Sequence, residues 1–150
     1  MTIAVDFDGT IVEHEYPKIG KPVPFAVDVL KKLHNEGHTL ILWTVRHGRL
    51  LQEAVDYCNA NGLTFYAINQ NFPEEKPGDY SRKVTADLYI DDRNIGGLPD
   101  WGIIYQTIKS GVNDTSRINI YGTDDYAKKR KKNFFTRMGE AWDKMKGNNY

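Results

Sequence analysis

The stretch Thr2-Ile3-Ala4-Val5-Asp6-Phe7-Asp8-Gly9-Thr10 constrains the fold more than any other part of the chain. Its first four residues are apolar and partly β-branched, the pattern of a strand buried on both faces of a parallel sheet. Gly9-Thr10 then breaks the run. Two aspartates are thereby expected at the carboxyl end of a strand, which is where open α/β sheets bind their ligands. Side chains alternate along a strand, so Asp6 and Asp8 are expected to share a side, with Phe7 opposite. Carboxylates this close are costly in a folded protein unless a cation or a reaction uses them. The alternative meaning of the same residues is an ordinary acidic turn.

The rest of the chain repeats the strand–helix alternation. A connector from Glu13 to Pro24, rich in Pro and Gly, leads to a helix expected over Val23–Asn35. Its apolar residues Phe25, Val29, Leu30 and Leu33 recur at helical spacing, and Gly37 ends it. His38–Val45 reads as a second buried strand and Arg49–Asn61 as a second helix closed by Gly62. A third strand is expected over Leu63–Ile68. Pro73, Pro77 and Gly78 make 69–81 irregular. A fourth strand, Ala86–Ile90, runs into Asp91-Asp92, and Ile103-Ile104-Tyr105 reads as a short fifth. The pattern predicts an α/β fold: a Rossmann-like three-layer sandwich around a mostly parallel five-stranded sheet. Residues 1–110 form the expected catalytic core, and 111–150 a C-terminal extension of the same domain. A final amphipathic helix is expected over Thr123–Lys146. Its stripe of Phe134, Met138, Ala141 and Met145 would pack on the sheet or on another subunit, making a homo-oligomer.

Composition excludes several classes. With 150 residues, 40% hydrophobic and 27% charged, the chain is globular and long enough for a real core. The single Cys58 rules out an internal disulfide, and its place on a helix reads as that of a small apolar residue. The N-terminus has no signal-peptide pattern, and no apolar run approaches the ~20 residues needed to span a bilayer. A soluble, cytoplasmic protein is expected. Net charge is zero, but eight Lys/Arg stand against two acidic residues between Lys128 and Lys146, a local charge of +6. That cluster is a solvated face or a surface for nucleic acid and other anions.

Polar residues now end three of the expected strands: Asp6 and Asp8, Thr44, and Asp91 with Asp92. Lys83 lies just upstream of the last pair. In a parallel sheet these ends gather on one edge. Carboxylates without His or Cys suit Mg²⁺, and a hydroxyl and an ammonium beside such a cation suit phosphate.

Asp6-Phe7-Asp8-Gly9-Thr10 resembles the first motif of the haloacid dehalogenase-like hydrolase superfamily, Asp-x-Asp-Gly-Thr. The apolar run ending in Thr44 is similar to the second motif, Lys83 to the third, and Asp91-Asp92 after Ala86–Ile90 to the fourth. All four stand in family order over residues 1 to about 105. A phospho-accepting receiver domain has a different order, with a single mid-chain Asp after its early acidic pair. The resemblance implies a Mg²⁺-dependent phosphatase. Asp6 would be its nucleophile and Asp8 its acid/base, with Thr44 on a phosphoryl oxygen and Lys83 as the balancing cation. Lys76 and Arg82 compete for that last role. The implied metal shell is Asp6, the Asp8 backbone carbonyl, Asp91 and Asp92. Gly9, Thr10, Thr44, Arg46 and His47 are the expected substrate-binding residues, while Arg46, His47 and Arg93 would touch substrate or face solvent. Asp100 is expected to be structural.

Only 33 residues separate Thr10 from Thr44, which leaves room for a small flap over Glu13–Lys21 but not for a folded cap. A capless member is implied, with its lid supplied by a bulky substrate or a second subunit. The substrate would be a phosphorylated sugar, a nucleotide or a nucleic-acid end. Two other readings compete: a non-catalytic or weakly catalytic protein binding nucleic acid or other anions on the same fold, and a phosphotransferase.

Overall fold

The computed structural model describes residues 1–76, 78 and 82–111. The chain divides into two units, Met1–Lys109 and Ser110–Tyr150, and the account below concerns the first. The expected C-terminal helix, its apolar stripe and its basic cluster lie outside the described residues.

Four strands form a wholly parallel sheet: β1 (Thr2–Val5), β2 (Thr39–Leu42), β3 (Ala67–Ile68) and β4 (Leu88–Ile90), in the order β3-β2-β1-β4. Helices α1 (Ala26–Asn35) and α2 (Gly48–Ala60) make the crossovers from β1 to β2 and from β2 to β3. The chain then returns to the far side of β1, so the strand order reverses between β1 and β4. Such a reversal opens a crevice beyond the carboxyl ends of the two strands. The protein is thus α/β and Rossmann-like.

Alternation along the strands sorts the core into two clusters. Ile3 and Val5 of β1, Leu40 and Leu42 of β2 and Ile90 of β4 join buried residues of the helices, among them Leu30, Leu33, Ala54 and Cys58. Ala4, Ile41 and Ala67 belong to a smaller cluster with Val84, against which Trp43 and Tyr89 pack. Both crossover helices end in the same hydrogen-bond pattern. At α1, Gly37 N–H donates to His34 O and His38 N–H to Leu33 O; at α2, Gly62 N–H donates to Asn59 O and Leu63 N–H to Cys58 O. These are paired Schellman closures, placed where the sequence puts its two glycines.

The expected fifth strand is corrected. Ile103-Ile104-Tyr105 lies inside helix α3 (Trp101–Ser110), and the sheet has four strands among the described residues. The reason is periodicity: Trp101, Ile104, Tyr105 and Ile108 are buried, at helical spacing around a short apolar run that fits either structure. Asp100 caps this helix by accepting from Gly102 N–H at 2.8 Å, which makes it structural as expected. Among the described residues no helix is long and apolar enough to cross a membrane.

Candidate metal and phosphate site

Register brings the site together. Val5 pairs with Leu42 on one side and Ile90 on the other, so β1, β2 and β4 end level. Asp6 N–H donates to Ile90 O and Trp43 N–H to Val5 O, both at 2.9 Å, carrying the ladder one residue further. Asp6, Thr44 and Asp91 therefore emerge on one edge. Side-chain oxygens of Asp6, Asp91 and Asp92 lie within 4.8 Å of one another. Burial, together with repulsion from Asp91, Asp92 and Asp8, pushes the Asp6 carboxyl up to about 7, against a lowering hydrogen bond from Phe7.

Beyond Val5 the strand gives way to a tight turn. The Phe7 carbonyl accepts from Ile11 N–H at 2.9 Å and Val12 N–H at 3.2 Å. Gly9 adopts φ +88°, and a Cβ there would stand 2.3 Å from Asp92 Oδ2. Only glycine admits both that backbone conformation and that carboxylate. Thr10 is fully buried and ties the two acidic segments together. Its hydroxyl donates to Asp6 Oδ2 at 3.5 Å and accepts from Asp92 N–H at 3.1 Å, while its carbonyl accepts from Trp101 Nε1 at 3.2 Å. Thr10, which the sequence suggested as a substrate contact, thus has its hydroxyl and its carbonyl engaged within the protein.

Asp6 and Asp8 do not act as one pair. Strand alternation stops at Val5, and each carboxylate has its own partners. Both oxygens of Asp8 accept from Arg46, from Nε at 2.7 Å and from Nη2 at 2.6 Å. Asp8 is accordingly absent from the side-chain cluster. Arg46 is buried as well, and its guanidinium serves Asp8 and the neighbouring connector.

A cleft of about 800 Å³ opens over this edge, lined by Asp6, Asp91, Thr44 and Arg46 together with Trp43, Val45, His47, Asn69 and Arg82. Thr44 N–H donates to Asn69 Oδ1 at 2.8 Å, and the Thr44 hydroxyl accepts from Arg46 N–H at 3.2 Å. Asn69 holds a left-handed backbone, φ 53°, at the end of β3. Asn is among the few residues that take that conformation readily, and the loop that it opens was expected to line the entrance. His47 is the N-cap residue of α2 at the cleft wall. Of the three candidate cations, Arg82 lines the cleft, Lys83 places its ammonium 4.7 Å from the centre of the Tyr89 ring, and Lys76 is exposed. Arg93 is exposed, with Nε 3.9 Å from Asp92 Oδ2. Cys58 is buried on α2 and its thiol is pushed up to about 12 by burial, so it offers no thiolate.

Fold and site together define a Rossmann-like α/β protein with a carboxylate cluster at the sheet's switch point. Among solved structures, the chain is 65% identical to a conserved protein from Bacteroides thetaiotaomicron, with a TM-score of 0.70, over 73% of this chain and 90% of that one. The chain belongs to the same family as that protein. No family model matches the chain, and no curated protein does.

Proposed function

We propose that the chain is a Mg²⁺-dependent phosphomonoester hydrolase of the haloacid dehalogenase-like superfamily, working through an aspartyl-phosphate. The three-layer sandwich of that superfamily is part of the same reading. The observation that carries it is the meeting of Asp6, Asp91 and Asp92 at the carboxyl ends of β1 and β4.

The donor set fits a hard cation. All three candidate ligands are carboxylates, without imidazole or thiolate, and the burial and repulsion that raise Asp6 are both offset by a divalent ion. Asp6, Asp91 and Asp92 would hold Mg²⁺, with the Asp8 carbonyl as a further ligand. When bound, the ion neutralises these carboxylates and the oxygens of the phosphoryl group.

A carboxylate oxygen of Asp6 attacks phosphorus as the ester P–O bond breaks, giving an acyl phosphate and the free alcohol. Asp8, protonated from solvent when one of its two hydrogen bonds from Arg46 opens, gives that proton to the leaving oxygen, then takes one from the water that cleaves the acyl phosphate. Thr44 already accepts a hydrogen bond from the Arg46 amide, which leaves its hydroxyl proton for a phosphoryl oxygen. Lys83, in the position of the third motif, and Arg82, on the cleft wall, offset the charge of Asp6 and of the group in transfer. Substrates are phosphate monoesters of sugars, nucleotides or nucleic-acid ends.

The test is hydrolysis of an aryl phosphate by the full chain with Mg²⁺ and with a chelator. Turnover should require the ion and fall by about 10³-fold or more in Asp6→Asn, with circular dichroism unchanged. Activity that survives chelation, or persists in Asp6→Asn, overturns the proposal.

A further inference from the structure

We infer that Arg46 is a positioning residue that couples the Asp8 carboxylate to a flap over residues 13–21. The proposal deepens the phosphatase reading, on which the role of Asp8 rests.

The flap is held at its base by a short antiparallel ladder. Val12 bridges Pro22, Glu13 N–H donates to Lys21 O at 2.7 Å and Val23 N–H to Ile11 O at 3.0 Å. At Gly20 a Cβ would stand 2.0 Å from the Glu13 carbonyl oxygen, so the two arms touch backbone to backbone. The residues between the arms are mostly exposed; Ile19 packs against the core, and the Arg46 side chain adds hydrogen bonds from the core to the flap backbone. Arg46 donates from Nη1 to Pro17 O at 3.0 Å and from Nη2 to Lys18 O at 2.7 Å. The same guanidinium grips both oxygens of Asp8. Its carbon lies 5.1 Å from the centre of the Phe7 ring and 5.4 Å from that of Tyr16, a core ring and a flap ring.

A guanidinium has five donors fixed in one plane, and here four hydrogen bonds join two structures with it. The Asp8 oxygens and the flap carbonyls are thereby set relative to each other. Movement of the flap on a substrate moves the acid/base carboxylate, and an Asp8 held in place holds the flap. Lysine keeps the charge but has a single nitrogen and cannot reproduce the fork.

Hydrogen–deuterium exchange of the full chain tests this in wild type, Arg46→Lys and Asp8→Asn. Exchange over residues 13–21 should rise about tenfold or more in both variants, while β1 and β4 keep their protection. Unchanged exchange of the flap overturns the coupling, as does equal acceleration of flap and sheet, which marks a merely structural role. With an aryl phosphate, Arg46→Lys should lower kcat with KM nearly constant, and Arg46→Lys with Asp8→Asn should lose no more than Asp8→Asn alone. Additive losses overturn the proposal. A wild type that hydrolyses no phosphate ester defeats the phosphatase reading, and the exchange measurement then still decides whether Arg46 couples Asp8 to the flap.

Discussion

Gly9 is the residue on which the two acidic segments meet. Its φ of +88° and the 2.3 Å that would separate a Cβ from Asp92 Oδ2 both exclude a side chain. Gly9→Ala must therefore strain the turn, displace Asp92, or do both. Left-handed backbone alone costs an alanine about 1–2 kcal/mol, and the displaced carboxylate would remove a proposed ligand. Gly9→Ala should lower thermal stability and weaken Mg²⁺ binding by about tenfold or more, measured by calorimetry on the purified variant. Unchanged metal affinity would show that Asp92 has no part in holding the ion. The acidic ends of β1 and β4 were legible in the sequence because aspartates directly after apolar strands stand out. The separate partners of Asp6 and Asp8 were not legible. Strand alternation holds only while the strand lasts, and β1 ends at Val5, before either aspartate. The Arg46–Asp8 fork joins residues 38 apart in sequence, a pairing that no local pattern announces.

Helices declare themselves in this chain by their ends as much as by their faces. Gly37 and Gly62 marked the closures of α1 and α2, and both close with the paired hydrogen bonds such a glycine permits. The N-terminal side was harder to read: α1 begins at Ala26, three residues after the expected Val23, because Phe25 takes a left-handed backbone, φ 65°, which no right-handed helix can contain. α3 stands where the sequence reads as a strand. Three consecutive apolar residues satisfy both periods, and the deciding signals were Asp100 as a cap and Trp101 and Ile108 one turn to either side. Asp100 is thus more than a turn residue. Removing its side chain in Asp100→Ala leaves the Gly102 amide without its acceptor and should destabilise the protein by about 1 kcal/mol. Urea unfolding with an unchanged slope measures this loss. A midpoint equal to that of wild type would mean that the cap is replaced by water at no cost.

At the scale of the whole core, the cluster joins segments 85 residues apart in sequence, Asp6 at the start and Asp91 near the end. Each of these strand ends follows from strand order and register, which bring together what the sequence leaves distant. The consequence is that pH, cation and fold stability are linked through one carboxyl. Asp6 ordinarily releases its proton near 3.8, whereas in the folded protein it does so at about 7. Between those values the folded state binds more protons than the unfolded state, so stability must fall as pH rises. In a chelator, the thermal midpoint should therefore decline from about pH 4 to pH 7 through this group and level off above. Asp6→Asn removes the titrating carboxyl and the repulsion together. It should flatten that decline and be more stable than wild type at pH 7 without metal. Mg²⁺ should reverse the order, because an ion bound only by the folded state stabilises it by about 2.7 kcal/mol at a hundred times its Kd. Wild type should gain that increment at pH 7 and lose it on acidification as Asp6 takes up its proton, whereas Asp6→Asn should gain far less. Scanning calorimetry over pH 4 to 8, with Mg²⁺ and with chelator, reads all four curves. A wild type whose midpoint is flat across this range in chelator would show that Asp6 is not held in the buried, crowded state described. A Mg²⁺ shift equal in the two proteins would place the ion elsewhere.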